Sequence, residues 1–426
     1  MLIGSSKRSG ALRSASLFFP HHHARTYHPR NTLSHTRTPL HGINPIPRNL
    51  FFLTTHSLSF FFSTFCSKTD WIPVFTSEKD THNCVSSAEI SPNGNLLAMC
   101  TKTMGTGTCR LFSRSDEAAT WTTIPYETPA DSFCECLAFT PNGDFLLMAF
   151  NGIGDVHDEL IIRRQSTLDL RAPPVEHVLS FGCRVEVFAA DFAPTSSADL
   201  IRVACAFSPK SSSSDDYVGA MTVCVWELKP ANTGLLTQRF TLDDASYFSA
   251  CRFSRDGLLL AVLATTCAKD YDPQPGRVLS SHVHVYHLAT GVKRTHAHKY
   301  RSSILSVEWL AADGLAFLDD KGRVQVLNVL IDVMRASYTD VQCLTSFRRH
   351  APWPGGGAAL VFKSGLVQLL DGYDGQASRT VGAWPDIGDA HYVSLSQNGK
   401  ALLATFALNS NPVKRTSVLV LATTTP

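Results

Sequence analysis

Five stretches of the chain repeat one pattern: a short run in which apolar and polar positions alternate, a turn on Asn-Gly or Asp-Gly, and a nearly unbroken apolar run. They are AEISPNGNLLAMC from Ala88, LAFTPNGDFLLMAF from Leu137, CRFSRDGLLLAVLATT from Cys251, VEWLAADGLAFLDD from Val307 and VSLSQNGKALLATF from Val393. Alternation marks a strand with one buried face, and the continuous run marks a strand buried on both. The glycine supplies the positive φ that a tight connection between them requires. One hairpin design recurring every 40 to 60 residues or so predicts a repeat architecture, and strands without intervening helices make it a β-propeller.

Between Trp71 and Pro426 the pattern yields seven units of about 50 residues, each an inner strand, a turn and two or three further strands. The expected fold class is therefore all-β, a seven-bladed β-propeller over residues 70–426, preceded by a disordered basic leader over residues 1–69. The last unit has only three strands, HYVSLSQ, KALLATFAL and TSVLVLATT. An open fourth position would expose unpaired backbone groups, so the strand-like WIPVF of Trp71 to Phe75 is expected to complete that sheet from outside.

The strand end VCVWEL, Val223 to Leu228, resembles the WD-repeat family, with Trp226 in the tryptophan position and Glu227 where that family places Asp. HVHVYHLATG, from His282, resembles the same strand with its closing turn. The resemblance implies a propeller that holds other proteins.

Charge divides the chain. Of 38 Lys and Arg, eight precede the first acid, Asp70, which leaves 30 against all 36 acids in the body. An acidic body is a poor partner for nucleic acid. The acid-free leader, rich in Ser, Thr and scattered Arg, reads as an organellar transit peptide. Alternatively LFFLTTHSLSFFFSTFC, Leu50 to Cys66, is a translated pyrimidine tract and the leader a gene-model artefact. The protein is then intracellular, mitochondrial if the leader is genuine and otherwise cytoplasmic or nuclear. Twelve scattered cysteines, several inside strands, indicate reduced core residues rather than a disulfide framework. Cys134 and Cys136 form a CxC pair on one strand face, without the companion ligands that zinc needs.

Candidate binding chemistry is sparse. Acids recur just before inner strands at Asp80, Asp131, Asp244, Asp340 and Asp389, which could rim the axis and attract a basic peptide, though Asp also serves turns by bonding the local backbone. Phe347 to His350, FRRH, resembles the FRRG motif of phosphoinositide-binding propellers, which would make Arg348 and Arg349 the head-group ligands. SSHVHVYHLATGVKRTHAHKYR, from Ser280, holds five histidines, four basic residues and no acid. A three-residue loop at Ala289, Thr290 and Gly291 would pair His284 with His296 and His282 with His298, placing all four with Arg294 on one face. Such a patch would strengthen for an acidic partner as histidines protonate. No nucleophile elbow, phosphate loop or HExxH pattern is present. The expected function is a non-catalytic scaffold for protein–protein interaction within a larger complex, without cofactor or metal. The alternatives are an axial enzyme of lactonase or hydrolase type and a phosphoinositide-binding propeller.

Overall fold

The computed structural model describes the strands and tight turns between Trp71 and Thr423. Residues 1–70 and 424–426 lie outside the described residues, as do single positions 127, 180, 198 and 391. So do the connections 79–83, 103–106, 115–120, 129–131, 153–158, 165–175, 182–183, 211–219, 230–234, 243–246, 268–277, 298–302, 311–312, 348–356, 371–376, 384–389, 397–400 and 406–415. The leader, 1–69, is among them.

The described strands form four-stranded antiparallel sheets, seven in all. After β1 (Trp71–Glu78), the first sheet is β2 (Cys84–Ile90), β3 (Leu96–Lys102), β4 (Gly107–Ser113) and β5 (Thr122–Ile124). The second is β6 (Ser132–Phe139), β7 (Phe145–Gly152), β8 (Glu159–Arg164) and β9 (Glu176–Leu179). The third is β10 (Val185–Phe192), β11 (Ile201–Pro209), β12 (Met221–Leu228) and β13 (Leu235–Leu242). The fourth is β14 (Tyr247–Phe253), β15 (Leu259–Cys267), β16 (Val278–His287) and β17 (Val292–Ala297). The fifth is β18 (Ile304–Trp309), β19 (Gly314–Asp319), β20 (Val324–Asn328) and β21 (Val333–Tyr338). The sixth is β22 (Val341–Phe347), β23 (Gly357–Phe362), β24 (Leu366–Leu370) and β25 (Ala377–Ala383). The seventh contains β26 (Tyr392–Leu395), β27 (Ala401–Thr405) and β28 (Thr416–Thr423), and β1 pairs antiparallel with β28 to complete it. Pro73 lacks an amide donor, which an outermost strand tolerates, and the register shifts between Pro73 and Phe75.

Each sheet packs on the next, and the seventh packs on the first. The layer between sheets one and two holds Leu96, Leu111, Leu146 and Phe150; that between seven and one holds Ile90, Leu97, Ala401 and Leu403. Burying a Leu or Phe of this kind contributes about 1.5 to 3 kcal/mol each. Second strands face such layers on both sides, which is why Leu96–Lys102 and Phe145–Gly152 read as continuous apolar runs. The arrangement is a β-propeller.

A bulge recurs in the first strands. The register shifts between Val85 and Ser87, Cys134 and Cys136, Val187 and Ala189, Phe248 and Ala250, Ile304 and Ser306, and Val341 and Cys343. The inserted residue turns the pleat over. The CxC expectation is corrected by it: Cys134 packs in the layer toward sheet one, whereas Cys136 packs against the layer toward sheet three. Cys100, Cys109, Cys134, Cys136, Cys205, Cys224, Cys251 and Cys343 are free thiols. Burial pushes the Cys343 thiol up to about 12, so it stays a neutral core group.

Candidate interaction surface

Polar side chains concentrate along the inner strands, where first strands have a free edge. Each pair of neighbouring sheets is tied there. Ser86 Oγ donates to Cys134 O at 2.8 Å, and Asn151 brackets Val187, donating to its carbonyl at 3.0 Å and accepting from its amide at 2.8 Å. Asp191 Oδ2 accepts from Phe253 N at 3.1 Å. Arg252 Nε lies 3.3 Å from Glu308 Oε1, and Trp309 Nε1 donates to Arg252 O at 2.9 Å. Ser306 Oγ donates to Leu344 O at 3.2 Å and Cys343 Sγ to Ala390 O at 2.9 Å. Tyr392 OH donates to Glu89 Oε2 at 2.6 Å, with Ser394 Oγ on the other carboxylate oxygen at 3.3 Å, joining the seventh sheet to the first.

The charged members of this set stand at one position of the repeat, two residues before each first turn: Glu89, Asp191, Arg252 and Glu308. Burial disfavours the Arg252 charge, but the Glu308 and Asp191 carboxylates more than offset it and hold the guanidinium above its ordinary range. Burial and the Glu89 carboxylate push the Tyr392 phenol well up, so it remains a donor. Among the described residues no group of three or more His, Cys, Asp or Glu is placed to hold a metal ion. The chemistry of this column is cross-sheet bonding, which stabilises the ring.

The opposite character appears at the end of the strands that bears the first and third connections of each sheet. Four of the first connections are closed alike. Ser91, Thr140, Ser254 and Ser396 hydroxyls accept from the amides of Leu96, Phe145, Leu259 and Ala401 at 2.8, 3.0, 2.8 and 2.9 Å. Gly94, Gly143 and Gly257 take φ of 78°, 77° and 69°, as the Asn-Gly and Asp-Gly pattern predicts. A Cβ on Gly257 would stand 3.4 Å from Thr195 Oγ1, so the turns of sheets three and four are adjacent.

On this turn-bearing face, sheets three to five form one continuous corner. Leu288 N donates to Leu258 O at 2.9 Å, joining the two turns of sheet four. Gln238 Nε2 of β13 donates to Leu288 O. On the other side Arg294 Nη1 of β17 donates to Val329 O at 3.3 Å and Leu330 O at 2.7 Å, and His296 Nδ1 lies 3.1 Å from Asp332 Oδ1. Leu235, Leu236, Leu258, Val292, Leu330, Ile331 and Val333 stand exposed over this corner, Leu235 at 67%, Ile331 at 65% and Leu330 at 55%. These seven are the majority of the ten exposed large apolar side chains among the described residues, so exposure is focused rather than scattered. The sequence pattern did not reveal them, because each follows a turn, where apolar residues carry no periodic signal.

The four-histidine face is corrected. The loop of sheet four is one residue longer than expected: His287 pairs with Val292, and Gly291 N, at φ 68°, returns to His287 O at 2.8 Å. His284 therefore opposes Thr295, and His296 opposes Val283. A slip of one residue changes the face of every side chain. His282 and His284 stack at 6.2 Å on the face toward sheet three, His284 Nδ1 lying 2.9 Å from Thr295 Oγ1. His296 and Arg294 instead meet sheet five, and His298 lies outside the described residues. Burial, then Lys293 and His282, lowers the His284 pKa to about 4, so this ring does not charge in mildly acidic solution. Of the acidic rim only Asp340 is described; it is exposed with φ 60°, in the turn before β22, where its carbonyl accepts from Lys363 N at 2.9 Å. Asp80, Asp131, Asp244, Asp389, Arg348 and Arg349 lie outside the described residues.

No family model matches the sequence, and no curated protein matches it. Solved structures do: 1336 chains match, so the likeness marks a widely shared fold and selects no activity. One is the β-propeller domain of Cps50 (Swd1) from Myceliophteria thermophila, 10% identical, with a TM-score of 0.50 over 83% of this chain and 100% of that one.

Proposed function

We propose that the chain is a non-catalytic, seven-bladed WD-repeat-like propeller, with its body at residues 70–426, that holds other proteins within a larger assembly. The observation that carries the reading is the exposed apolar corner of sheets three to five. Aliphatic side chains gathered on one surface of a rigid scaffold lose water-exposed area when a partner covers them, at roughly 25 cal/mol per Å². The inner column offers no such opening, because its charged groups are bonded across sheets. The likeness to the Cps50 (Swd1) propeller domain supports the fold on which the reading rests.

Affinity purification of the full chain, compared with a Leu330→Ser, Ile331→Ser variant, tests this. The wild type is expected to retain a set of proteins that the variant loses while circular dichroism and melting stay the same. Retention of the same set by a folded variant would refute the corner as the docking surface.

A further inference from the structure

The charges around the apolar corner are not balanced locally. Its carboxylates are already engaged: Asp256 accepts from Ser254 Oγ at 2.6 Å and Leu258 N at 3.0 Å, and Asp313 accepts from Asn328 Nδ2 at 2.6 Å. Asp332 faces His296, and Glu227 is paired with Arg202. The cations are differently placed. Lys229, after β12, and Lys293, in β17 opposite Tyr286, are exposed, and among the described residues their side chains make no hydrogen bond or ion pair. Arg294 is exposed and spends Nη1 on two main-chain carbonyls. Of the exposed acids here, Asp256 and Asp332 are held as described, and Asp199, on the sheet-three turn, is the remaining one set against them.

Building on the platform reading, we propose that this corner receives a segment of a partner protein that carries aliphatic side chains flanked by Asp or Glu. The aliphatic groups cover Leu235, Val292, Leu330 and Ile331, and the acids meet Lys229, Lys293 and Arg294. Rim charges of this kind select the partner and speed its approach, while the apolar centre holds it. An anionic lipid surface fits less well, because Asp332, 75% exposed, stands between Ile331 and Val333, and Asp256 stands two residues from Leu258. Either carboxylate would be pressed against negative headgroups.

The test uses the full chain and three synthetic amphipathic peptides of one length: Leu with Glu, Leu with Lys, and Ser with Glu. By fluorescence anisotropy at low salt the Leu/Glu peptide is expected to bind about tenfold more tightly than the Leu/Lys peptide, and the Ser/Glu peptide not to bind. Lys229→Glu with Lys293→Glu should reverse the order of the two Leu peptides. Leu330→Ser with Ile331→Ser should abolish both. Equal affinity for the two Leu peptides, or indifference to charge reversal, overturns the acidic preference and leaves the platform reading standing. Loss of co-purifying partners in the serine variant bears on the platform alone, so the two failures are distinguishable. Concentration-dependent dimerisation that the serine variant loses would assign the corner to a second copy and overturn the proposal. So would Ile331-dependent binding to phosphatidylserine vesicles.

Discussion

The inner strands and the outer corner of sheets three to five invert each other. Along the inner strands charged groups are buried or half-buried and bonded to the neighbouring sheet; Glu308 has a side chain only 6% exposed against Arg252. At the corner, aliphatic groups face water above turns tied by backbone bonds such as Leu288 N to Leu258 O and Gly291 N to His287 O. Most folded chains place both kinds of residue the other way round. The difference teaches what each region is for. Buried charge is tolerated where it fastens one sheet to the next, and the exposed apolar surface is the place where, on the proposal above, a partner docks.

The comparison breaks most severely at ring closure. Removing β1, residues 71–78, exposes the edge of β28 and should lower the unfolding temperature by roughly 5 °C or more, read by differential scanning calorimetry. An unchanged melt would show that the pairing of Trp71 with Thr423 carries no stability.

Next in size is the column itself. Arg252→Met leaves Glu308 buried beside no cation and should cost about 2 to 4 kcal/mol by denaturant titration. Adding Glu308→Met should recover most of that loss, because the penalty belongs to the orphaned charge rather than to the missing pair. Additive losses would instead mean that the two side chains act separately.

A smaller effect sharpens the contrast within sheet four. His284 titrates at about 4 in the folded chain against 6.5 for the free side chain, because burial, Lys293 and His282 disfavour its charge. Below pH 6.5 the unfolded chain takes up a proton that the folded one refuses. Stability is thus complete above pH 6.5 and falls between 6.5 and about 4, by about 1 to 2 kcal/mol once screening of this partly exposed ring is allowed for. His284→Gln should flatten that part of the profile, and an unaltered slope would place the titration elsewhere.

The smallest expected change in stability is at the corner. Leu330→Ser with Ile331→Ser should shift unfolding by no more than about 0.5 kcal/mol, since neither side chain is packed. A loss above about 2 kcal/mol would mean that the corner is structural, and the inversion would dissolve.

The repeats were legible because strand periodicity is local: AEISPNG, LAFTPNG and CRFSRDG announce their turns whatever surrounds them. The strand-like character of WIPVF and the missing fourth strand of the last sheet were likewise readable, since an unfilled edge is a deficit visible in the strand count. The inner column is present in the sequence as an aligned position, Glu89, Asp191, Arg252 and Glu308, but inside an alternating strand such residues carry no sign of their cross-sheet partners, whereas the acids that recur before the strands stand out. Asp340 there takes the positive φ that Asp tolerates, a local backbone role. Tertiary structure alone decided the rest. One extra loop residue between His287 and Val292 sent His296 to the opposite face from His284. One bulge did the same to Cys134 and Cys136. Faces depend on registers summed along the chain, so an error of a single residue reverses them. The exposed corner depends on which sheets become neighbours, and that neighbourhood is set by packing between sheets rather than by any pattern within one.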